Sequence, residues 1–503
     1  MQYLLGLDVS TTGSKALLID EHGTVIASHT TPHPSSQPYP LWSEQNPADW
    51  WAGMAASIRA VLDQTRAADA IQAIGLTGQM HGLVCLDQDN RVLRPAILWN
   101  DQRTQAECDE ITQRIGAKRL IQLTGNRALT GFTAPKILWV RNHEPEVYAR
   151  IAHVLLPKDY IRFMLTGGYA TDLADGSGML LLDVANRRWS EAVLSELGIP
   201  KEWLPKTHEG PEVTGVVSEA AAAMTGLKAG TPVVGGGGDQ AAQATGVGAV
   251  QPGIVALTVG TSGVVFAPLA SYAYEPDGRL HAFCHSVPGQ WHFMGVMLSA
   301  AGSLQWYRDT LAPAEDFGKL TDEADNAPPG CEGLVFLPYL TGERTPHPDP
   351  LARGAFIGLT ARHTRAHMTR AVLEGVAFGL RDGFELIKSS PAGTIREVRV
   401  SGGGARSPVW RQILADVLEI DLVTTQAQEG PSFGAALLAG VAASIYPSVE
   451  AACNAAVRPG TRTTPDDRTM RAYRQYYPIY QELYPALKAS FARLSAISGG
   501  AND

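Results

Sequence analysis

A strand–turn–strand pattern occurs twice in the sequence, once at the start and once near the middle, and it limits the possible folds more than any other feature. The first copy reads LGLDVSTTGSKALLI and the second reads ALTVGTSGVVFA. Each is a hydrophobic run, a turn of Gly, Ser and Thr, and a second hydrophobic run, which is typical of a β-hairpin. Because each copy stands near the start of one half of the chain, the repeat predicts two similar domains, at 1–240 and 241–503, with a hinge at Gly235–Gly238.

Helical and strand-like patterns alternate within each half. Asn46 and Pro47 predict the start of a helix, because large apolar residues follow at helical spacing, and the same spacing occurs at 368–389 and 408–419. Strands are predicted around these helices, at 3–7, 16–19, 24–28, 71–77, 83–86, 254–259, 264–267 and 397–400. This alternation predicts the α/β class.

Composition excludes several classes of protein. Apolar residues make up 45% of the 503 residues and charged residues only 18%, which excludes disorder. The net charge of −9 argues against a nucleic-acid partner, whose phosphates need clustered Lys and Arg. The uncharged stretch Gly253–Ala270 is long enough to span a membrane, but its polar residues, glycines and Pro268 favour a strand–turn–strand instead. We therefore expect no membrane or nucleic-acid partner.

The cysteines and histidines give no sign of an extracellular or metal-stabilised protein. The five cysteines are odd in number and scattered, with no C-x-x-C, and the N-terminus lacks the basic start of a signal peptide. These features predict a reducing, cytoplasmic compartment. His281, Cys284, His285 and His292 carry atoms that could bind zinc, but packing residues on alternating strand faces are the favoured interpretation.

Three loops rich in Gly, Ser and Thr predict phosphate binding, since such loops let backbone N–H groups approach phosphate oxygens. They are Thr11–Gly13, Gly260–Ser262 and Gly402–Gly404, and neither a G-x-x-x-x-G-K-[ST] nor a G-x-G-x-x-G motif accompanies them. Two isolated carboxylates, Asp8 and Asp239, stand beside them. That pairing suits a metal-binding carboxylate and a general base for an alcohol nucleophile.

Two longer segments resemble the signatures of a known family. Residues 131–143 and 354–374 are similar to the two gapped signatures of the FGGY carbohydrate kinases, in the actin, heat-shock-protein-70 and hexokinase superfamily. Within that family, four further segments resemble those of bacterial D-xylulose kinases, namely 78–82, 98–101, 156–160 and 342–347.

The resemblance implies a fold and an activity. It implies two actin-like (ribonuclease H-like) domains, each a mixed five-stranded sheet flanked by helices, with the active site in a cleft between them. The N-terminal domain would bind sugar and phosphate, and the C-terminal domain would bind the nucleotide. The implied reaction is ATP-dependent phosphorylation of D-xylulose to D-xylulose 5-phosphate with Mg²⁺, by an enzyme that in relatives is often a homodimer.

The resemblance also implies roles for individual residues. Asp239 matches the acceptor of the sugar proton, and Asp8 matches the aspartate that acts through Mg²⁺ and its waters. The implied substrate-binding residues are Gln79, Met80, His81, Trp99, Asp239 and Gln240. The implied ATP-binding residues are Thr11, Thr12, Gly13, Lys15, Gly260, Thr261, Ser262, Gly403, Gly404 and Ser407.

Other functions remain open at this stage. Gln240 stands where some relatives have Asn, so the substrate could be another pentulose or polyol, such as ribulose, xylitol or glycerol. The paired loops would also suit an actin-like or chaperone-like ATPase, although such a protein has no use for Gln79, Met80 and His81. A binding module without catalysis is a third alternative, which the presence of both Asp8 and Asp239 disfavours.

Overall fold

The computed structural model describes residues 2–426 and 429–499, and these form two compact units. The first unit contains residues 2–251, 268–292 and 429–458, and the second contains the described residues of 252–267, 293–426 and 459–499. Each unit is therefore assembled from several stretches of the chain. The functional domain limits at 240 and 241 remain a prediction.

A mixed sheet forms the centre of the first unit. In spatial order its strands are Val213–Val216, Pro232–Val234, Ile71–Gly78, Tyr3–Val9, Gly13–Asp20 and Val25–Pro32, and the short strand Gly237–Gly238 pairs with the end of Ile71–Gly78. Tyr3–Val9 runs parallel to Ile71–Gly78 and antiparallel to Gly13–Asp20, so the predicted N-terminal hairpin is confirmed.

The first unit also contains helices and short strands outside this sheet. The α-helices are Pro47–Thr65, Gln105–Ile115, Ala117–Thr124, Thr133–His143, Pro145–Tyr148, Pro157–Thr166, Leu173–Ser177, Glu191–Leu197, Glu219–Thr225, Asp239–Gly246, Pro431–Ala442 and Val449–Ala456, with 3₁₀ turns at Ala68–Ala70 and Lys201–Trp203. The remaining strands are Glu44–Gln45, Val84–Leu86, Ala96–Ile97, His153–Leu155, Ala170–Asp172, Leu182–Asp183, Arg188–Trp189, Lys206–His208 and His281–Cys284.

The helix predicted after Asn46 is present and forms for the expected reasons. The Asn46 side chain accepts a hydrogen bond from the Ala48 N–H, and Pro47 occupies the first turn, where its missing N–H costs nothing. Trp50 and Met54 are fully buried against the sheet. The helix is thus fixed by its cap and by one apolar face.

The helix Pro431–Ala442 packs on the same sheet with backbone against backbone. A Cβ atom added at Gly6 would lie 1.9 Å from the Ser432 carbonyl oxygen, and one added at Gly75 would lie 1.8 Å from that of Ala435. Only glycine permits so close an approach. These two strand glycines therefore bring the helix directly onto the centre of the sheet.

The second unit has its own mixed sheet. Its strands follow the spatial order Trp291–Met297, Gly263–Leu269, Ile254–Val259, Glu397–Ser401, Leu422–Thr425 and Pro459–Thr463. Val335–Leu337 and Ala355–Ile357 pair separately. The helices are Ala301–Leu311, Phe317–Ala324, Arg365–Lys388, Pro408–Leu418 and Asp467–Gly499, with 3₁₀ turns at Cys331–Gly333 and Gly404–Arg406.

The two-domain α/β fold with mixed sheets flanked by helices is confirmed. Each sheet is wider than the expected five strands, because short edge strands extend it. The helix Asp467–Gly499 has no counterpart in the sequence predictions, and it contains Pro478 and Pro485, which normally argue against a helix. Within residues 2–426 and 429–499, no helix combines the length and the apolar character that a membrane span requires.

Candidate active site

Three neighbouring strands of the first unit end at the same edge of its sheet. Tyr3–Val9 and Gly237–Gly238 both run parallel to Ile71–Gly78, with Asp8 opposite Thr77 and Gly238 opposite Gly78. Carboxyl ends of adjacent parallel strands are where open α/β sheets bind ligands. Asp8, the loop Gly78–Gly82 (hereafter the sugar loop) and Asp239 are therefore brought together from positions far apart in the sequence.

The glycines before Asp239 are required by close packing. A Cβ atom at Gly236, where φ is +75°, would lie 1.9 Å from the Leu76 carbonyl oxygen, and one at Gly238 would lie 2.8 Å from Met80 Cγ. The stretch Gly235–Gly238, predicted as a hinge, lies inside the first unit. It places the start of the helix Asp239–Gly246 directly against the sugar loop.

Asp239 is partly buried and has the character of a general base. Gln240 Nε2 donates a hydrogen bond to its Oδ1 over 3.3 Å. Burial, and secondarily the charge of Asp8, raises the pKa of the Asp239 carboxyl from 3.8 to about 7. A carboxylate with a pKa near neutrality is well matched to proton abstraction from an alcohol.

Asp8 offers a carboxylate oxygen to a cation. It lies opposite Lys15 in the hairpin, and its Oδ1 is buried without a hydrogen-bond partner among the residues that the structure describes. Burial raises the pKa of Asp8 to about 6, and Lys15 opposes the shift. Mg²⁺ commonly takes one or two carboxylates and fills its shell with water and phosphate oxygens, so this single carboxylate fits such an ion.

His81 adopts an unusual backbone conformation in the sugar loop. Its φ is +68°, in the left-handed region that is strained for a residue with a Cβ atom. Its Nδ1 lies 2.7 Å from the Gly178 carbonyl oxygen, and its ring packs edge-on against Phe132. Met80 and His81 are both buried. These contacts hold the loop in this conformation.

Two residues of the first family signature hold this conformation, and sequence reasoning gave them no role. Lys136 Nζ and Thr133 Oγ1 both donate to the His81 carbonyl oxygen, over 2.8 and 3.1 Å. Lys136 also donates to the Gly131 carbonyl oxygen over 2.7 Å. Burying a charged ammonium costs free energy, and the hydrogen bonds to these carbonyl oxygens offset part of that cost for the fully buried Lys136. The position of Lys136 within the first family signature was the one sequence feature that could have pointed to this role.

The turn Ser10–Gly13 (hereafter the first phosphate loop) contacts the sugar loop through Thr11. Thr11 Oγ1 donates to Gln79 Oε1 over 3.2 Å and accepts from Trp99 Nε1 over 3.0 Å. Trp99 thus lies at the predicted site rather than in the core. Gln79 is almost fully buried and its amide is engaged in the loops, so its assignment as a substrate contact stays a prediction.

The other predicted residues of the first phosphate loop differ in exposure. Thr12 is exposed, while Gly13 closes the turn by accepting from the Ser10 N–H over 3.0 Å. Lys15 Nζ donates to the carboxylate and the carbonyl oxygen of Glu429, within the first unit. The Thr12 and Gly13 N–H groups donate to Ser10 Oγ over 3.4 and 3.2 Å, so phosphate binding by these groups and by the paired Lys15 stays a prediction.

The remaining predicted nucleotide residues lie in the second unit, on two adjacent loops. Ile254–Val259 runs parallel to Glu397–Ser401, so the loops that follow, Gly260–Ser262 and Gly402–Ser407, begin at one sheet edge. The Gly260 and Thr261 carbonyl oxygens accept from the start of the helix Ala301–Leu311, which fixes the first of these loops. Ser407 Oγ accepts from the Trp410 N–H and so caps the next helix.

Metal-binding clusters and disulfides are absent from the described residues. Within residues 2–426 and 429–499, no group of three His, Cys, Asp or Glu side chains is arranged to hold a metal ion. The histidines and Cys284 considered for zinc lie buried on strands and in their turns. None of the five cysteines forms a disulfide, and all five are buried.

The comparison with known proteins identifies the class of enzyme. The N-terminal domain of the FGGY family of carbohydrate kinases matches residues 3–246, and the C-terminal domain of that family matches residues 255–443. The chain belongs to the FGGY family of carbohydrate kinases. The predicted family and its actin-like kinase fold are confirmed, and ATP as the phosphoryl donor follows from the family.

Individual relatives cover nearly the whole chain. The xylulose kinase of Escherichia coli (strain K12) is 45% identical over 441 residues, 88% of this chain and 90% of that protein. The xylulose kinase of Klebsiella pneumoniae is 41% identical over 96% of this chain and 99% of that protein. The crystal structure of a xylulose ("xyloylose") kinase from Brucella ovis is similar with a TM-score of 0.91 and 40% identity, over 97% of this chain and 100% of that one.

Proposed function

We propose that this enzyme transfers the γ-phosphoryl group of ATP to D-xylulose, giving D-xylulose 5-phosphate. The observation that carries the proposal is the meeting of Asp8, Met80, His81 and Asp239 at one edge of the first sheet. The names of the relatives support the choice of sugar. We further propose that it works in the cytoplasm, which five cysteines without a disulfide favour, and assembly as a homodimer stays a prediction.

Asp239 acts as the general base in this mechanism. Its ionised carboxylate takes the proton of the sugar's C5 hydroxyl as that oxygen attacks the γ-phosphorus, and ADP leaves. General-base help of this kind contributes about 10²–10⁴-fold to the rate. Gln240, whose amide bonds the same carboxylate, would orient it and contact the sugar.

Asp8 is the residue that would hold Mg²⁺ through water, since its buried Oδ1 lacks a protein partner among the described residues. When bound, Mg²⁺ would neutralise phosphate charge during the transfer. Thr12, Gly13 and Lys15 would bind the phosphates from the first unit. The second unit would contribute backbone and hydroxyl donors of Gly260, Thr261 and Ser262, with Gly403, Gly404 and Ser407 at the adenosine.

The pH dependence of the reaction should report the pKa of Asp239. Because burial raises that pKa to about 7 and the base must be ionised, kcat/KM for D-xylulose should fall tenfold per pH unit below about pH 7 and level off above it. Coupled assays from pH 5.5 to 9 measure this profile. A rate that stays flat down to pH 5.5 would show that no group of this kind limits the reaction.

Replacing Lys136 by Met should weaken sugar binding more than turnover. The variant removes the charged donor that holds the His81 carbonyl oxygen, so the left-handed loop loses support. Hydrogen bonds from charged groups contribute about 1.5–3 kcal/mol, so we expect KM for D-xylulose to rise at least about tenfold. Thr133→Val, which removes the neutral donor to the same oxygen, is the matched control and should raise KM less. An unchanged KM in Lys136→Met would contradict this role.

ADP release in the presence of six different acceptors tests whether D-xylulose is the preferred substrate. Coupled assays with D-xylulose, D-ribulose, L-xylulose, L-ribulose, xylitol and glycerol give kcat/KM for each, and D-xylulose should be the best substrate. A higher kcat/KM for another member would overturn the choice of sugar while retaining the kinase. ADP release that no acceptor stimulates would favour the ATPase alternative.

A further inference from the structure

One buried side chain joins the sugar loop to the first phosphate loop. Gln45 lies in the short strand Glu44–Gln45 and is 2% exposed. Its Nε2 donates to the Thr11 carbonyl oxygen over 2.7 Å, and its Oε1 accepts from Gln79 Nε2 over 2.9 Å. A single amide group therefore contacts the backbone of one loop and the side chain of the other.

The remaining hydrogen-bonding capacity of this amide is also used. Trp50 Nε1 donates to Gln45 Oε1 over 2.9 Å, and Gln45 Nε2 lies 3.2 Å from the Pro34 carbonyl oxygen. An amide has two donor and two acceptor positions, so all four are engaged. Because an unmade buried hydrogen bond is costly, Gln45 cannot release one loop without a penalty.

A second contact closes a ring between the two loops. Thr11 Oγ1 donates to Gln79 Oε1, so Gln45, Thr11 and Gln79 are each bonded to the other two. Gln79 directly precedes Met80 and His81, and Thr11 directly precedes Thr12 and Gly13. A displacement at either loop is therefore transmitted through the ring to the other.

We propose that Gln45 is a positioning residue that couples sugar binding to nucleotide binding. A shift of the sugar loop on sugar binding moves the Thr11 carbonyl through this amide, so the nucleotide meets a first phosphate loop that the sugar has already repositioned. The coupling is reciprocal by thermodynamic linkage. The inference rests on the proposed roles of the two loops in binding sugar and phosphate.

Calorimetric titration of ADP, with and without saturating D-xylulose, tests the coupling. Allosteric couplings typically change affinity by about 5–150-fold, so we expect the sugar to tighten ADP at least about fivefold in the wild type. Gln45→Met, which is similar in size and cannot make these bonds, should reduce that factor to below about twofold. D-xylulose titrated with and without ADP should show the same factor in each protein.

Two further variants separate coupling from folding. Gln45→Glu keeps an acceptor for Trp50 and Gln79 but places an oxygen where the amide donated to the Thr11 carbonyl oxygen, so it should lose the coupling. Melting curves of each variant, recorded first, confirm that it is folded at the temperature of the titrations. Gln72→Met removes an amide that donates to the Ala70 carbonyl oxygen, at the far end of the strand Ile71–Gly78, and this variant should keep the coupling.

The outcomes distinguish this inference from the proposed function. Coupling that persists in Gln45→Met or Gln45→Glu overturns the inference, and so does a wild type that phosphorylates D-xylulose but binds ADP equally with and without it. If the panel identifies another sugar, the proposed substrate is wrong. The same titrations with that sugar then decide the role of Gln45 independently.

Discussion

Asp239→Asn should reduce kcat for D-xylulose phosphorylation by about 10²–10⁴-fold, the range that general-base catalysis supplies. The amide keeps the size of the carboxylate and can still bond to Gln240, but it cannot accept the sugar proton. Affinity for ADP should change less than threefold, because Asp239 starts a helix beside the sugar loop rather than in a phosphate loop. Coupled assays and calorimetry measure both quantities.

The melting temperature of Asp239→Asn shows whether its loss of kcat comes from the missing base or from unfolding. The folded state holds a proton on Asp239 up to about pH 7, whereas the ordinary pKa is 3.8, so this group's contribution to stability falls as pH rises through that window. The neutral Asn avoids that penalty. Asp239→Asn should therefore melt at or above the wild-type temperature at pH 8, and the difference should shrink towards pH 5.

Asp183→Asn makes the same substitution at a residue that bonds Asn186 on the surface, and it should leave kcat within twofold. Turnover within tenfold of the wild type in Asp239→Asn would remove this carboxylate as the base.

Lys158→Met should have the largest effect on stability. Lys158 Nζ is fully buried and lies 2.5 Å from Asp159 Oδ1, 2.7 Å from Asp172 Oδ2 and 3.7 Å from Asp175 Oδ2. Burial alone would lower the pKa of this ammonium, but the three carboxylates raise it above its ordinary value. The variant leaves those carboxylates without their central cation. Removing one partner of a buried ion pair costs about 3–5 kcal/mol, so the melting temperature of the first unit should fall by about 5–8 °C.

The loss of stability in Lys158→Met should depend on pH, and the matched change at an exposed lysine should cost less. Carboxylates without a counter-charge are tolerated once protonated, so the destabilisation should be smaller at pH 5.5 than at pH 8. Lys201→Met breaks an exposed ion pair with Glu191 and should cost less than about 1 kcal/mol. Calorimetric scans of both variants at the two pH values measure this. Equal melting temperatures for Lys158→Met and the wild type at pH 8 would contradict a stabilising role for the cluster.

This cluster also supports the candidate site. Arg162, within 4.0 Å of Asp159, donates to the Val234 and Gly235 carbonyl oxygens, which lead into the glycines before Asp239. Asp172 caps the helix Leu173–Ser177, and the carbonyl of the next residue, Gly178, bonds His81. The buried charges therefore fix the backbone on both sides of the sugar loop.

Local patterns were enough to predict much of the fold. The N-terminal hairpin, the helix capped by Asn46 and the strands at 254–259 and 397–401 each follow from a spacing of apolar residues or from turn chemistry within a few residues. The helix Asp467–Gly499 was missed because its face is stabilised by tertiary packing, with Tyr473 and Tyr480 buried, rather than by a favourable sequence.

The candidate site was only partly predictable, because its supporting contacts join distant positions. The family resemblance identified Asp8, His81 and Asp239, but no pattern connects Lys136 to the carbonyl of His81 or Gln45 to Thr11. Such contacts depend on the positions of whole elements. Gln45 in particular stands in a two-residue strand that no periodicity indicates.

Identification of the product by ³¹P NMR tests the proposed activity most directly. The wild type, incubated with D-xylulose, ATP and Mg²⁺, should yield ADP and one new phosphate monoester in equal amounts. The ester phosphorus should couple to the methylene protons at C5, next to the C4 proton and away from the ketone. Inorganic phosphate as the only new product besides ADP, or an ester at any carbon other than C5, including the second primary carbon C1, would contradict the transfer of phosphate to the C5 hydroxyl that Asp239 is proposed to activate.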